Sequence, residues 1–169
     1  MLAWIDHLAG PSTPGPALEL ATWLHDIVYD ATRRDNEAAS GRWSEQHLPR
    51  LGVEAVTVIA VTRLTLATAD HDPVPADADA DKTDRDTAIL VDADLAILGA
   101  PPDRYARYAL DVRSEYGSLT DAQWSSGRRR VLEGFIARQR LYHHPTLAPL
   151  ERQARRNLSS ELARLTRPA

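Results

Sequence analysis

Apolar side chains recur at helical spacing along almost the whole chain, and the breaks fall at proline and glycine. Residues 2–9 form a short apolar piece, and 10–16 interrupt any periodicity and read as a linker. Helix is predicted from 17 to about 30, with Pro16 suited to its first turn, where a missing N–H removes no bond. A second helix covers 35–48, with Asp35 as its N-cap candidate. Residues 53–68 are rich in β-branched side chains. They are too long for one strand and contain no turn, so helix is favoured. Pro73, Pro75 and the Asp/Ala content make 70–85 a loop. Residues 86–98 read as helix, stopped by Gly99 and Pro101–Pro102; 102–116 follow, ending at Gly117. A long helix is predicted over 120–142, with Gly127 and Gly134 as weak points, then a break at Pro145 and a last helix over 147–165. No repeat, hairpin signal or βαβ alternation appears. The expectation is an all-α bundle of about seven or eight helices, in a single domain over 1–169.

Composition narrows the classes. Apolar residues make up 43% of 169, enough for a core. No apolar run is long enough to span a membrane. The start MLAWIDHLAG lacks the basic region, long apolar stretch and cleavage site of a signal peptide, so a cytoplasmic protein is expected. Cysteine is absent, which excludes disulfides, thiolate ligands and a cysteine nucleophile. The net charge of −4 is unevenly spread: seven aspartates lie between Asp70 and Asp86, against Lys82 and Arg85, while 127–169 is Arg-rich. Such a block could attract anions. Without aromatic–basic interleaving it reads instead as the solvated face of amphipathic helices, and nucleic acid is not an expected partner. GRRR at Gly127 follows no strand and lacks the Gly-Lys-Ser/Thr ending of a phosphate loop. No G-x-S-x-G nucleophile motif is present. Trp4, Trp23, Trp43 and Trp124 are expected in the core or at its edge.

The chemistry is concentrated in ELATWLHDIVYD, where His25 and Asp26 interrupt an apolar run. Neighbours on a helix point about 100° apart, yet an imidazole and a carboxylate can still reach one ion lying against it. That pair suits Mn²⁺, Fe²⁺, Co²⁺, Ni²⁺ or Zn²⁺, and less obviously Mg²⁺. Two ligands are too few, and His71, Asp72, Asp92 and Asp94 are the candidates for the others. Asp92 and Asp94 lie in ILVDADLAILG, two apart on a helix, so one should face inward and the other not. The bland alternative has His25 bonding a backbone carbonyl and Asp26 pairing an arginine. Arg113 and Arg155 are the phosphate-clamp candidates, because a guanidinium fork can bond two oxygens; interhelical salt bridges are the competing reading. His143–His144, at a predicted helix end, are read as caps complementing the dipole.

WLHDIVYD, DNEAAS, LATADHD, ILVDADLAILG, RYALDVRSEYGSLTDAQWSSGRRRVLEGFIARQRLYHH and ERQARRNLSSEL follow one another along the chain. In that order, from about Leu2 to Leu165, they resemble the HD superfamily, in particular a bacterial branch of predicted metal-dependent HD phosphohydrolases. The resemblance implies an HD-type helical bundle and hydrolysis of a phosphate ester, such as a nucleotide, by a metal-activated water. It matches His25 and Asp26 to the central pair and Asp94 to the last aspartate, with Asp92 as runner-up. It makes His71 an extra ligand or a phosphate-binding group. Glu37, in DNE, becomes a candidate for orienting or deprotonating the water, with a solvated helix position as its equal alternative.

One departure stands at the start. Relatives carry a Tyr-His on a helix before the segment resembling MLAWIDHLAG, and that helix supplies a first metal histidine. His7 is the sole histidine before His25 and does not match that position. A late start codon, a natural short form, or replacement by His7 would each account for this. An absent helix would leave apolar surface for a partner or a second copy of the chain. A binding protein with an incomplete metal site is therefore the alternative function.

Overall fold

The computed structural model describes residues 1–10, 14–71 and 82–166. Among these there is no strand, and eight α-helices form: α1 (Leu2–Ala9), α2 (Pro16–Leu24), α3 (Asn36–His47), α4 (Ala55–Ala67), α5 (Lys82–Leu95), α6 (Pro102–Glu115), α7 (Asp121–Ala137) and α8 (Ala148–Leu165). Short 3₁₀ turns occupy Leu48–Leu51, Ala96–Gly99 and Pro145–Leu147. The all-α expectation holds. No helix of the described residues is long and apolar enough to cross a membrane. The chain divides into two compact units, Met1–Asp94 and Leu95–Ala169.

In Met1–Asp94, α4 is the central element, with α2 and α3 packed on it. Its buried residues Val58, Val61, Leu64 and Thr65 recur every three or four positions, so helix prevails over the strand preference of its β-branched residues. Gly41 lets α3 come close: a Cβ there would lie 3.3 Å from Thr62 Cγ2. α2 buries Leu18, Ala21 and Thr22, with Pro16 in its first turn as expected. Trp23 faces the other way and is 68% exposed, contrary to the core position expected of it. The helix expected to run to about 30 stops at Leu24. Ile27 and Val28 pass instead into an irregular segment before α3. Asp35 does take the N-cap position of α3 but makes no side-chain cap bond. Its carboxylate is held by Arg33, at 2.9 Å to each oxygen, and by Arg42. α5 begins at Lys82, inside the predicted loop, where an i,i+4 pair between Lys82 and Asp86 supports its first turns.

In Leu95–Ala169, α8 supplies the seam. Ala154, Leu158 and Glu161 are buried along one face. α8 packs on α7 and on the Ala96–Gly99 turn. Asn157 Nδ2 donates to the carbonyls of Leu98 and Ala100, both at 2.8 Å. Gly99 sits so close to α8 that a Cβ would fall 2.6 Å from Leu150 Cβ and 3.2 Å from the Leu150 carbonyl oxygen. α7 opens with a complete capping box between Thr120 and Gln123. It ends five residues short of the expected Tyr142. Arg155 gathers the carbonyls of Ile136, Arg138 and Gln139, while Glu151 accepts from the Leu141 N–H. His143–His144 therefore lie beyond the helix, and His144 Nδ1 accepts from Thr146 N–H at the start of the next turn. The cap is N-terminal, not C-terminal.

One arginine of the basic block is buried. Arg128 donates to Glu161 at 2.7 and 3.1 Å, and Tyr105 Oη donates to the same carboxylate. Burial and the Glu161 carboxylate push the Tyr105 phenol above its ordinary range. Burial opposes the Arg128 charge, but the bond to Glu161 outweighs it and raises the guanidinium pKa further. Removing one member strands the other, so Glu161→Leu should lower stability by about 3–5 kcal/mol, whereas Glu161→Leu with Arg128→Met should recover most of it. Urea unfolding of the three proteins measures this. A second check is Gly99→Ala, whose Cβ meets α8 backbone and should cost about 1–3 kcal/mol.

Candidate functional site

Three separate stretches of the Met1–Asp94 unit bring polar side chains together. α2 ends with His25 as its C-cap, the His25 N–H bonded to the Ala21 carbonyl. His25 is 8% exposed. Its Nδ1 lies 3.3 Å from that same carbonyl oxygen, which can only accept, so Nδ1 carries the proton there. Nε2 points the other way, 3.3 Å from Asp26 Oδ2 and 3.9 Å from Asp94 Oδ1. Asp94, near the end of α5, turns its second oxygen to His71 Nε2 at 2.8 Å. The order in space is Asp26, His25, Asp94, His71.

His71 reaches Asp94 through an unusual backbone. After α4, Thr68 Oγ1 bonds the Thr65 carbonyl and the chain turns. His71 has φ 47°, the single non-glycine residue with positive φ among the described residues. That left-handed conformation costs of order 1 kcal/mol and is retained where the surroundings demand it. Here it directs the imidazole back to α5. Asp92 is fully buried and Asp94 half-exposed, so the two aspartates do face different ways. Of the two, Asp94 meets the histidines. Asp72 lies outside the described residues.

Two imidazoles and two carboxylates form the cluster, and shifts follow for His25 and Asp26. Burial lowers the His25 pKa, but the bond to Asp26 and the charges of Asp94 and Asp26 overcome it and raise the imidazole above its ordinary 6.5. For Asp26 the bond to His25 dominates over burial. With the His25 and His71 charges it holds the carboxyl below 3.8. Imidazole and carboxylate donors of this kind could hold a first-row divalent ion. Two atoms that share such an ion at ~2.1 Å sit roughly 3 Å from each other, comparable with the separations here. As they stand, however, the groups pair with one another. Among the described residues no three or more histidine, aspartate or glutamate side chains surround one point where an ion would be held.

The histidine anchored through Nδ1 to a carbonyl, with Nε2 outward, is the arrangement that prepares an imidazole for a metal. It also contains the bland alternative's His25–carbonyl bond. Asp26, in contrast, pairs with His25 and not with an arginine. Glu37 stands half-buried in the first turn of α3 and makes no hydrogen bond or ion pair with a described residue. His7 is exposed and edge-on to Trp4. In the other unit, Arg113 bonds the Tyr116 and Leu119 carbonyls and Asp121. Arg155 holds Glu151 at 2.7 Å besides the three carbonyls at the end of α7 and just beyond it. Both are thus engaged in tying their own unit together.

Two residues of the site's surroundings were not singled out by sequence reasoning. Ser40 bonds the backbone of Val28, and Asn36 that of Asp30. The signal was present as two small polar residues one helical turn apart in DNEAAS. Which loop they serve depends on the fold.

Comparison with protein-family models, curated proteins and solved structures finds no match to the chain.

The pKa directions have a testable sign. The raised His25 value makes its contribution to stability complete below 6.5 and lost as pH climbs through the folded value. The lowered Asp26 value makes its contribution complete above 3.8 and lost as pH falls through the folded value. In metal-free protein followed by NMR, His25 should titrate above 6.5, and Asp26→Asn should bring that midpoint down. A midpoint below 6.5 in the unmodified chain would mean that burial outweighs the carboxylates.

Proposed function

We propose that the chain is a metal-dependent phosphohydrolase of the HD type, acting on a small phosphate ester. The observation that carries this reading is the convergence of His25, Asp26, His71 and Asp94 from three distant segments. His25, Asp26 and Asp94 are the ligands and His71 an auxiliary ligand or phosphate contact. The ion is a divalent one of the Mn²⁺, Fe²⁺, Co²⁺, Ni²⁺, Zn²⁺ or Mg²⁺ group. It supplies Lewis acidity toward the phosphoryl oxygens and a nucleophilic water at neutral pH.

The chain's own groups have defined tasks. The Ala21 carbonyl fixes the His25 ring through Nδ1 and leaves Nε2 for the ion. Asp26 and Asp94 would supply the negative charge that a divalent ion needs, and His25 would offer Nε2 to it as a neutral imidazole. Glu37, without a partner of its own, is the group to orient the attacking water and take its proton. A cysteine-free chain of this kind suits the reducing cytoplasm.

A second reading keeps the scaffold without the chemistry. The absence, among the described residues, of three side chains around one point favours a binding protein on an HD-type fold.

Calorimetry with Mn²⁺ on this chain separates the two. The enzyme reading expects micromolar or tighter binding, lost in Asp26→Ala with circular dichroism unchanged. Hydrolysis of a generic phosphate ester should then depend on added Mn²⁺, fall in Glu37→Gln and persist in His143→Ala. No binding by the intact chain would leave the binding-protein reading.

A further inference from the structure

Ser40 and Asn36 sit one turn apart on α3, on the same face. Val28 and Asp30 are two apart in the segment that follows the His25–Asp26 turn, and both turn their backbone groups to α3. Each α3 side chain takes both backbone groups of its partner. Ser40 Oγ accepts from Val28 N–H at 3.1 Å and donates to the Val28 carbonyl at 3.2 Å. Asn36 Oδ1 accepts from Asp30 N–H at 3.1 Å, and its Nδ2 donates to the Asp30 carbonyl at 3.0 Å. This is the set of bonds a neighbouring β-strand would offer to alternate residues, supplied instead by a helix. Ser40 is fully buried and Asn36 nearly so, so water does not readily replace either.

We infer that Asn36 and Ser40 are positioning residues: by clamping Val28 and Asp30 they hold the His25–Asp26 turn in the orientation that presents it to Asp94. The functional consequence rests on the metal-site reading above. The turn has two anchors. Upstream, α2 holds His25 through Ala21. Downstream, nothing helical continues, and the clamp begins two residues after Asp26. With the downstream anchor gone, the turn would be tied at one end only. His25 would then leave its buried position and Asp26 its place beside Nε2.

Ser44 provides the control for a purely structural role. It lies one turn further along α3, is equally buried, and bonds only the Ser40 carbonyl of its own helix, at 3.0 Å. The first readout needs no metal. Diethyl pyrocarbonate modification of His25 is followed by peptide mass mapping, well below each variant's melting midpoint. Ser40→Ala and Asn36→Ala should each speed modification about fivefold or more, as the loss of one or two such bonds implies, and Ser44→Ala should not. Equal effects in Ser40→Ala and Ser44→Ala, or none in either, would overturn the proposal. If Ser40→Ala does not fold, Asn36→Ala makes the same test at the other anchor.

The second readout is Mn²⁺ affinity by calorimetry. Ser40→Ala should weaken it about tenfold or more, the effect of disturbing groups that orient ligands, with Ser44→Ala near the unmodified chain. Selective exposure of His25 with unchanged Mn²⁺ affinity would overturn its link to metal binding. If the unmodified chain binds no Mn²⁺, the metal reading fails on its own, while selective modification of His25 would still support the clamp.

Discussion

Backbone groups that leave a helix must find partners, and buried polar side chains of a neighbouring helix need partners in turn. In the Met1–Asp94 unit this requirement shapes the end of α2. Side chains of α3 take both backbone groups of Val28 and of Asp30. The chain can therefore leave the helix at Leu24 and still be fastened to buried positions of α3. The order of events along the chain then follows. α2 ends, the turn carries His25 and Asp26, the next stretch is fastened to α3, and α3 lies on α4 with Gly41 at a close approach.

The two units bury charge in different ways. In Leu95–Ala169 the Arg128–Glu161 pair is closed: the guanidinium fork, the carboxylate and the Tyr105 hydroxyl satisfy one another. Such a network ties α6, α7 and α8 together. In Met1–Asp94 the four groups form an open series in which Asp26, Asp94 and His71 keep part of their surface accessible. The two carboxylates there favour the protonated form of the His25 imidazole. The closed pair leaves its members little contact with solvent, whereas the open series leaves Asp26, Asp94 and His71 within its reach.

The carrying residues were legible to different degrees. His25 and Asp26 stood out because two ionisable groups interrupted an apolar run, and Asp94 because it did the same in ILVDADLAILG. Their meeting needed α2, α4 and α5 to converge. His71 was visible as a residue type, but its left-handed backbone, which aims it at Asp94, was not. Arg128 read as one of many surface arginines, since nothing local distinguishes the one that faces Glu161 from its neighbours. Trp23 read as core or core edge, yet it lies opposite the buried face of α2.

Helical class and most helix starts came from local patterns: Pro16 and Pro102 at first turns, the Thr120 capping box, and the apolar period of α4. These depend on residues within a turn or two, so the sequence alone determined them. Helix ends did not follow the same rule. α2 stops where α3 offers Asn36 and Ser40. α7 stops where Arg155 and Glu151 of α8 collect its last carbonyls and the Leu141 N–H. Those partners are distant in sequence, and only the tertiary structure decides where they meet the chain, because a freed carbonyl or N–H is stable wherever a buried partner happens to reach it.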